Sequence, residues 1–290
     1  TDMAPATVQR YETSLKHTRD FVWETYHKKD VLLDEVSRQF IEDYEFWLKT
    51  EKKCCHNTAT KYLKNFKKII RIALAKGWMK NDPFLEIRFS LDKVEPDFLE
   101  DSEIQKLISK EIDIPRLSQV RDIFVFCCFT GLAFSDIHGL RKEHIVEDSN
   151  GVRWIRKGRQ KTKIMCNIPL MEIPLKILEK YSTNEYCKKH GVLFPVLCNQ
   201  KMNAYLKELA DICGIKKTLT THTARHTFAT FALANGVSIE SVAKMLGHTN
   251  VQMTRHYARV LDRTVIREMS QIKMDFHFPF NKDDSSVIVE

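Results

Sequence analysis

The chain has 290 residues, 43% of them hydrophobic and 29% charged, which is enough for two domains and excludes a disordered polyelectrolyte. A formal net charge of +8 points to a polyanionic partner, nucleic acid before a membrane surface. No run approaches the roughly eighteen apolar residues of a membrane span, and the polar opening "TDMAPATVQRYETSLKH" lacks a signal-peptide core, so a cytoplasmic protein with no membrane partner is expected.

The first 88 residues read as a helical domain. Val8, Tyr11, Leu15, Val22 and Tyr26 fall on one helical stripe; Phe40, Ile41, Tyr44, Trp47 and Leu48 form a second behind an expected Ser37 N-cap. A third helix is predicted from just after Asn57-Thr58 to Gly77, with Tyr62, Leu63, Phe66, Ile69, Ile70, Ala73 and Leu74 as its apolar face. The same helix carries Lys61, Lys64, Lys67, Lys68 and Arg71 with no acidic residue among them. A solvated face normally mixes signs, so these five are candidate phosphate contacts.

Residues 89–100, within "FSLDKVEPDFLEDSE", have weak periodicity and one proline, and are expected to link to a second domain over 101–290 that begins at a capped helix near Asp101. A helix through Phe129 includes "IFVFCCF", where Cys127 and Cys128 read as small core residues. The eight cysteines form no C-x-x-C pair, which favours a reduced, metal-free chain. A short helix is predicted from Ser135. A β-segment follows from His144 to Leu170, with a hairpin turn at Asn150-Gly151 and a basic turn opening at Gly158. Helices return after it, including Met202–Ile212 and Ser238–Leu246. The fold class expected is mainly α with a small antiparallel β-sheet.

"LTTHTARHTFATFALANG" places His222, Arg225 and His226 within five positions. The i, i+4 histidines could suggest zinc, but Thr223 stands where a zinc protease carries Glu, and a cationic Arg225 opposes a metal. His226 alone could be a structural histidine. Twenty-six residues beyond His222, "MLGHTNVQMTRHYARV" sets His248 after one helix and Tyr257 on the next. With Lys161 on the basic turn, the set comprises a phosphate-clamping Arg, imidazole donors, a proton-donating Lys and a phenol. No carboxylate cluster for Mg²⁺ accompanies them.

This combination resembles the tyrosine recombinase/integrase family, whose second box is H-x-x-R-H and whose third is L-G-H followed by Tyr. The likeness spans essentially the whole chain. "THTARHTFAT", "MLGHTNVQMTRHY" and "RQKT" most resemble integrases of Bacteroides-type mobile elements. It implies a helical core-binding domain and a catalytic domain forming a DNA clamp. It also implies metal- and cofactor-free transesterification through a 3′-phosphotyrosine, with a nucleoid-associated location. Tyr257 would be the nucleophile, Arg225, His222 and His248 would hold the phosphate, and Lys161 would protonate the leaving group. His226 and Asp136 would support the site.

The resemblance further implies double-stranded DNA as partner and four protomers on paired sites, with a monomer or weak oligomer off DNA and accessory DNA-bending proteins. Integration or excision of a mobile element is the expected role; inversion, dimer resolution, or a catalytically silent DNA-binding relative are the alternatives. Such proteins usually carry an arm-type DNA-binding domain ahead of the core-binding domain, and the chain's start without an initiator Met suggests that it is missing here. Arg263–Ile272 is expected to be helical, and Phe276, Phe278 and Phe280 to anchor a contact with a neighbouring subunit or with their own domain.

One departure stands out. The family's first box reads T-G-L-R, whereas Thr130 to Ile137 here is "TGLAFSDI", with Ala133 in place of a phosphate-binding Arg. A second guanidinium is therefore expected from another segment. Arg159, two residues before Lys161, is the choice over Arg141, Arg153 and Arg156.

Overall fold

Amphipathic spacing produces three helices in the first ninety residues: α1 (Pro5–Tyr26), α2 (Arg38–Thr50) and α3 (His56–Ala75). They appear in a computed structural model that describes residues 3–258 and Ser270. All five expected apolar residues of α2 are buried, and the Ser37 hydroxyl accepts from the Phe40 amide at its N-terminus. The three helices close around an aromatic centre in which Phe21 lies 5.1 Å from Phe40 and 4.9 Å from Tyr44, ring centroid to centroid.

Two stripes needed rotation. Leu15 is 50% exposed whereas Phe21 is fully buried, and on α3 Ile69 is 51% exposed. A helix offers several overlapping arcs of apolar residues, and the neighbours it meets select which arc is covered. α3 also starts earlier than its Asn57-Thr58 signal, with Cys55 as N-cap, because the Asn57 side chain is used elsewhere. It exchanges two hydrogen bonds with the backbone of Asp92.

The chain divides into two units between Glu95 and Pro96. Much of the stretch expected as a linker is anchored to its own side of that boundary. Phe89 packs on the first core, while Leu99 is buried in the second, where its amide donates to Thr227 Oγ1.

The second unit begins with α4 (Asp101–Ser109) and is built on α5 (Pro115–Thr130), a helix whose apolar second half is buried on nearly all sides and which is packed by α10, α7 and α9. Short α6 (Phe134–His138) leads into an antiparallel sheet of β1 (Ile145–Glu147), β2 (Arg153–Gly158) and β3 (Met165–Pro169), in that order. Asp148 organises the first turn: its Oδ1 accepts from the amides of Asn150 and Val152, and Gly151 takes φ +76°. Helices α7 (Glu172–Tyr181), α8 (Glu185–His190), α9 (Asn199–Ile212), α10 (Thr221–Ala234), α11 (Ile239–Leu246) and α12 (Gln252–Ala258) complete the described chain. Arg263–Ile272 falls, apart from Ser270, outside the described residues, as do Phe276, Phe278 and Phe280. Among the described residues no helix is long and apolar enough to cross a membrane.

Candidate active site

α10 delivers the second-box residues because Thr220 caps its start, its hydroxyl accepting from the Thr223 amide. That fixes Arg225 on the buried face. Its guanidinium donates Nη1 to the Gly131 carbonyl (2.6 Å) and Nη2 to the Leu246 carbonyl (2.5 Å). One cation thus joins the carbonyl ends of α5 and α11, where helix dipoles favour positive charge. Burial and the neighbouring Arg159 lower the Arg225 pKa to about 10, which leaves it charged at neutral pH.

Two glycines make this convergence possible. Both end helices in the left-handed region, Gly131 at φ +66° and Gly247 at φ +61°. A Cβ on Gly131 would lie 2.4 Å from the Phe228 ring, and one on Gly247 would lie 2.7 Å from both Arg159 Cδ and Cys166 Sγ. The L-G-H glycine is therefore the floor over which the Arg159 stem passes.

Arg159 enters from the turn joining β2 to β3, which is closed by the Arg159 amide bonding to Ile164 O. Asp136 of α6, 2% exposed, latches this turn: Oδ1 accepts from the Gln160 amide (2.9 Å) and Oδ2 faces Arg159 Nε (3.4 Å). The Arg159 charge acts on Arg225, His222, His248 and Tyr257. Arg156 instead lies on an exposed strand position and acts on Asp148, and Arg141 and Arg153 are exposed. Ala133 caps α6 and offers no side-chain donor.

Lys161 is exposed on the same turn, and its charge, after burial and the two guanidiniums, helps to depress the His222 pKa. The other lysines of the hairpin differ. Lys157 donates to Gly139 O (2.9 Å) and lies 3.4 Å from His144 Nε2, while Lys163 is an exposed turn residue at φ +60°.

The histidines and the phenol form a row. The ring centroids of His222 and His226 are 4.2 Å apart, and that of Tyr257 lies 5.3 Å from His226. Burial, followed by His222 and Arg225, lowers the His226 pKa to about 4, and its buried Nδ1 has no partner among the described residues. His248 is likewise lowered to about 4, by burial and then by Arg225 and Arg159. Tyr257 is 7% exposed; burial raises its pKa while the two guanidiniums oppose that rise.

The five basic residues of α3 lie in the other unit. Lys61, Lys64, Lys68 and Arg71 are exposed, but Lys67 is half-buried. Its Nζ donates to Phe84 O (3.3 Å) and sits over the Phe84 and Phe89 rings, so it serves its own unit. Sequence reading missed Thr254, the buried partner of His248. Its signal was present: Thr254 and Tyr257 are spaced i, i+3 on a short helix. Cys166 was also passed over; burial raises its thiol pKa, and only the fold puts it against Gly247. Among the described residues, no three His, Cys, Asp or Glu side chains are grouped to hold a metal ion.

The fold is shared with DNA-bound integrases. The integrase of the Tn1549 transposon, in complex with circular intermediate DNA, superposes with a TM-score of 0.72 at 19% identity, covering 92% of this chain and 94% of that one. A lambda integrase dimer bound to a COC′ core site gives 0.71 at 18% identity, covering 88% and 89%. Residues 97–264 match the Phage integrase family and residues 1–94 the Phage integrase SAM-like domain. The chain belongs to the phage integrase family. A tyrosine recombinase of Pseudothermotoga lettingae is 30% identical over 244 residues, 81% of this chain and 82% of that protein.

Proposed function

We propose that Tyr257 is the nucleophile through which this tyrosine recombinase, a site-specific recombinase of double-stranded DNA, cuts and rejoins strands. One observation carries the assignment: the charges of Arg225 on α10 and Arg159 on the β2–β3 turn both act on a single phenol, whose ring lies beside His226 in the row that begins at His222. Tyr257 Oη attacks a backbone phosphorus and gives up its proton to solvent as the P–O5′ bond breaks, while the departing 5′-oxygen takes a separate proton. The product is a 3′-phosphotyrosine and a free 5′-hydroxyl. That hydroxyl later attacks the phosphotyrosine on a partner strand, restores the phosphodiester and releases the phenol. The covalent intermediate conserves the bond's energy, so no nucleotide is consumed.

Arg225 and Arg159 hold the non-bridging oxygens, with Arg159 supplying the charge that Ala133 lacks. His222 and His248 donate to the same phosphate. Lys161, exposed at the end of the turn, protonates the departing 5′-oxygen, an assistance worth ~10²–10⁴ in rate. His226 buttresses His222 and Tyr257, and Asp136 fixes the turn. Lys61, Lys64, Lys68 and Arg71 contact phosphates beyond the cleaved one.

Exchange between two duplexes requires four cuts and hence four protomers on paired sites, with accessory DNA-bending proteins to bring those sites together. The role best supported is integration or excision of a mobile element, on the likeness to the transposon integrase. Dimer resolution is the second reading, favoured by relatives such as the tyrosine recombinase XerD of Shewanella oneidensis, 25% identical over 277 residues. A nicked half-site that traps the covalent adduct tests the chemistry: Tyr257→Phe should bind it without forming an adduct. Recombination between candidate element ends, as against chromosomal resolution sites, separates the two roles.

A further inference from the structure

Thr254 is joined to the phosphate-binding loop by a single contact that bears on how His248 works. On α12, Gln252, Met253, Arg255 and His256 are exposed, whereas Thr254 and Tyr257, one helical turn apart, are buried. Thr254 is fully buried, and its Oγ1 lies 2.8 Å from His248 Nδ1. A buried hydroxyl proton needs an acceptor, and among the described residues the imidazole is the only hydrogen-bond partner of this hydroxyl. If Nδ1 carried the proton and donated, the threonine proton would be left without an acceptor. The satisfied arrangement has Thr254 donating to the Nδ1 lone pair.

We propose that Thr254 is a positioning residue that sets the tautomer of His248, placing its one ring proton on Nε2, the nitrogen free to meet a phosphate oxygen. The inference rests on the proposed role of His248 in binding the cleaved phosphate. A neutral imidazole has one N–H, and the bond made by one nitrogen decides whether the other is a donor or an acceptor. Low pKa agrees with this: His248, lowered to about 4, is neutral at physiological pH. With the proton on Nδ1, Nε2 would turn a lone pair toward the phosphate and repel it. Because Thr254 lies three residues before Tyr257, the histidine is set in donor form only when the nucleophile's helix is seated.

The test combines nitrogen-15 NMR of histidine-labelled full-length chain with single-turnover cleavage of a nicked half-site. His248 resonances are assigned by their loss in His248→Ala. In the DNA-free wild type they should show the proton on Nε2. Thr254→Val, which keeps the shape and removes the hydroxyl, should lose that preference and slow cleavage by about tenfold or more. Thr254→Ser should restore both the tautomer and most of the rate. Adding Thr254→Val to His248→Ala should cost nothing further. A wild-type proton on Nδ1, an unchanged rate in Thr254→Val, or a Thr254→Ser as slow as Thr254→Val overturns the proposal. Failure of the parent reading looks different: the wild type would form no adduct through Tyr257. The tautomer measurement needs no DNA and would still decide the assignment.

Discussion

Replacing Arg159 by Ala tests how this chain compensates for Ala133. The substitution removes one of two guanidiniums whose charge reaches the phenol, and leaves Arg225 in place on its two carbonyls. Loss of one preorganised donor to a developing phosphoryl charge costs about 3–4 kcal/mol, a rate decrease of ~10²–10³. Stability must be separated from this effect. Asp136, 2% exposed, would lose its cation at 3.4 Å and keep only the Gln160 amide. Breaking a buried pair can cost ~3–5 kcal/mol, so thermal unfolding is followed in parallel. Asp136→Asn in the Arg159→Ala background should recover stability without recovering rate.

Single-turnover cleavage of a nicked half-site, with binding measured by gel shift, is the assay. Arg159→Ala should bind nearly as well as wild type and cleave ~10²-fold or more slowly. Arg159→Lys retains the charge without the planar fork and should fall between the two. Ala133→Arg in the Arg159→Ala background should partly restore the rate. Because Arg159 helps to depress the His248 pKa, its removal should also move His248 protonation to higher pH. Wild-type cleavage by a folded Arg159→Ala protein would refute the reasoning and transfer the role to another cation.

Tyr257→Phe should bind the half-site and form no adduct on a denaturing gel, and EDTA should leave wild-type cleavage unaffected; a strict Mg²⁺ requirement would count against the mechanism. The triple variant Lys64→Ala, Lys68→Ala, Arg71→Ala should reduce the log–log salt slope of DNA binding by about three units. An unchanged slope would place α3 away from the DNA. Below their unfolded pKa of about 6.5, His226 and His248 bind protons more readily in the unfolded chain, since both are lowered to about 4 when folded. Stability should therefore fall as pH drops from 6.5 toward 4, and His248→Ala should flatten that slope. A pH-independent melting temperature across that window would contradict the burial of these rings.

Sequence alone determined what is local. The five apolar positions of α2, its Ser37 cap, the Asn150-Gly151 turn and the H-x-x-R cluster on one helix all follow from spacing and from backbone preferences of neighbouring residues. What the tertiary structure decided depends on contacts distant in the chain. Leu15 turns out and Phe21 in because the partners of α1 select its buried arc. Lys67, indistinguishable in sequence from Lys64 and Lys68, is drawn to the Phe84 carbonyl by the chain that follows α3. Asp136 captures the β2–β3 turn from α6, which brings Arg159 rather than Arg156 toward Arg225. The hydroxyl of Thr254 finds His248 only after Gly247 has turned the chain back on itself. A guanidinium or hydroxyl has no address in sequence: its partner is set by which buried charges and lone pairs the fold leaves to be satisfied.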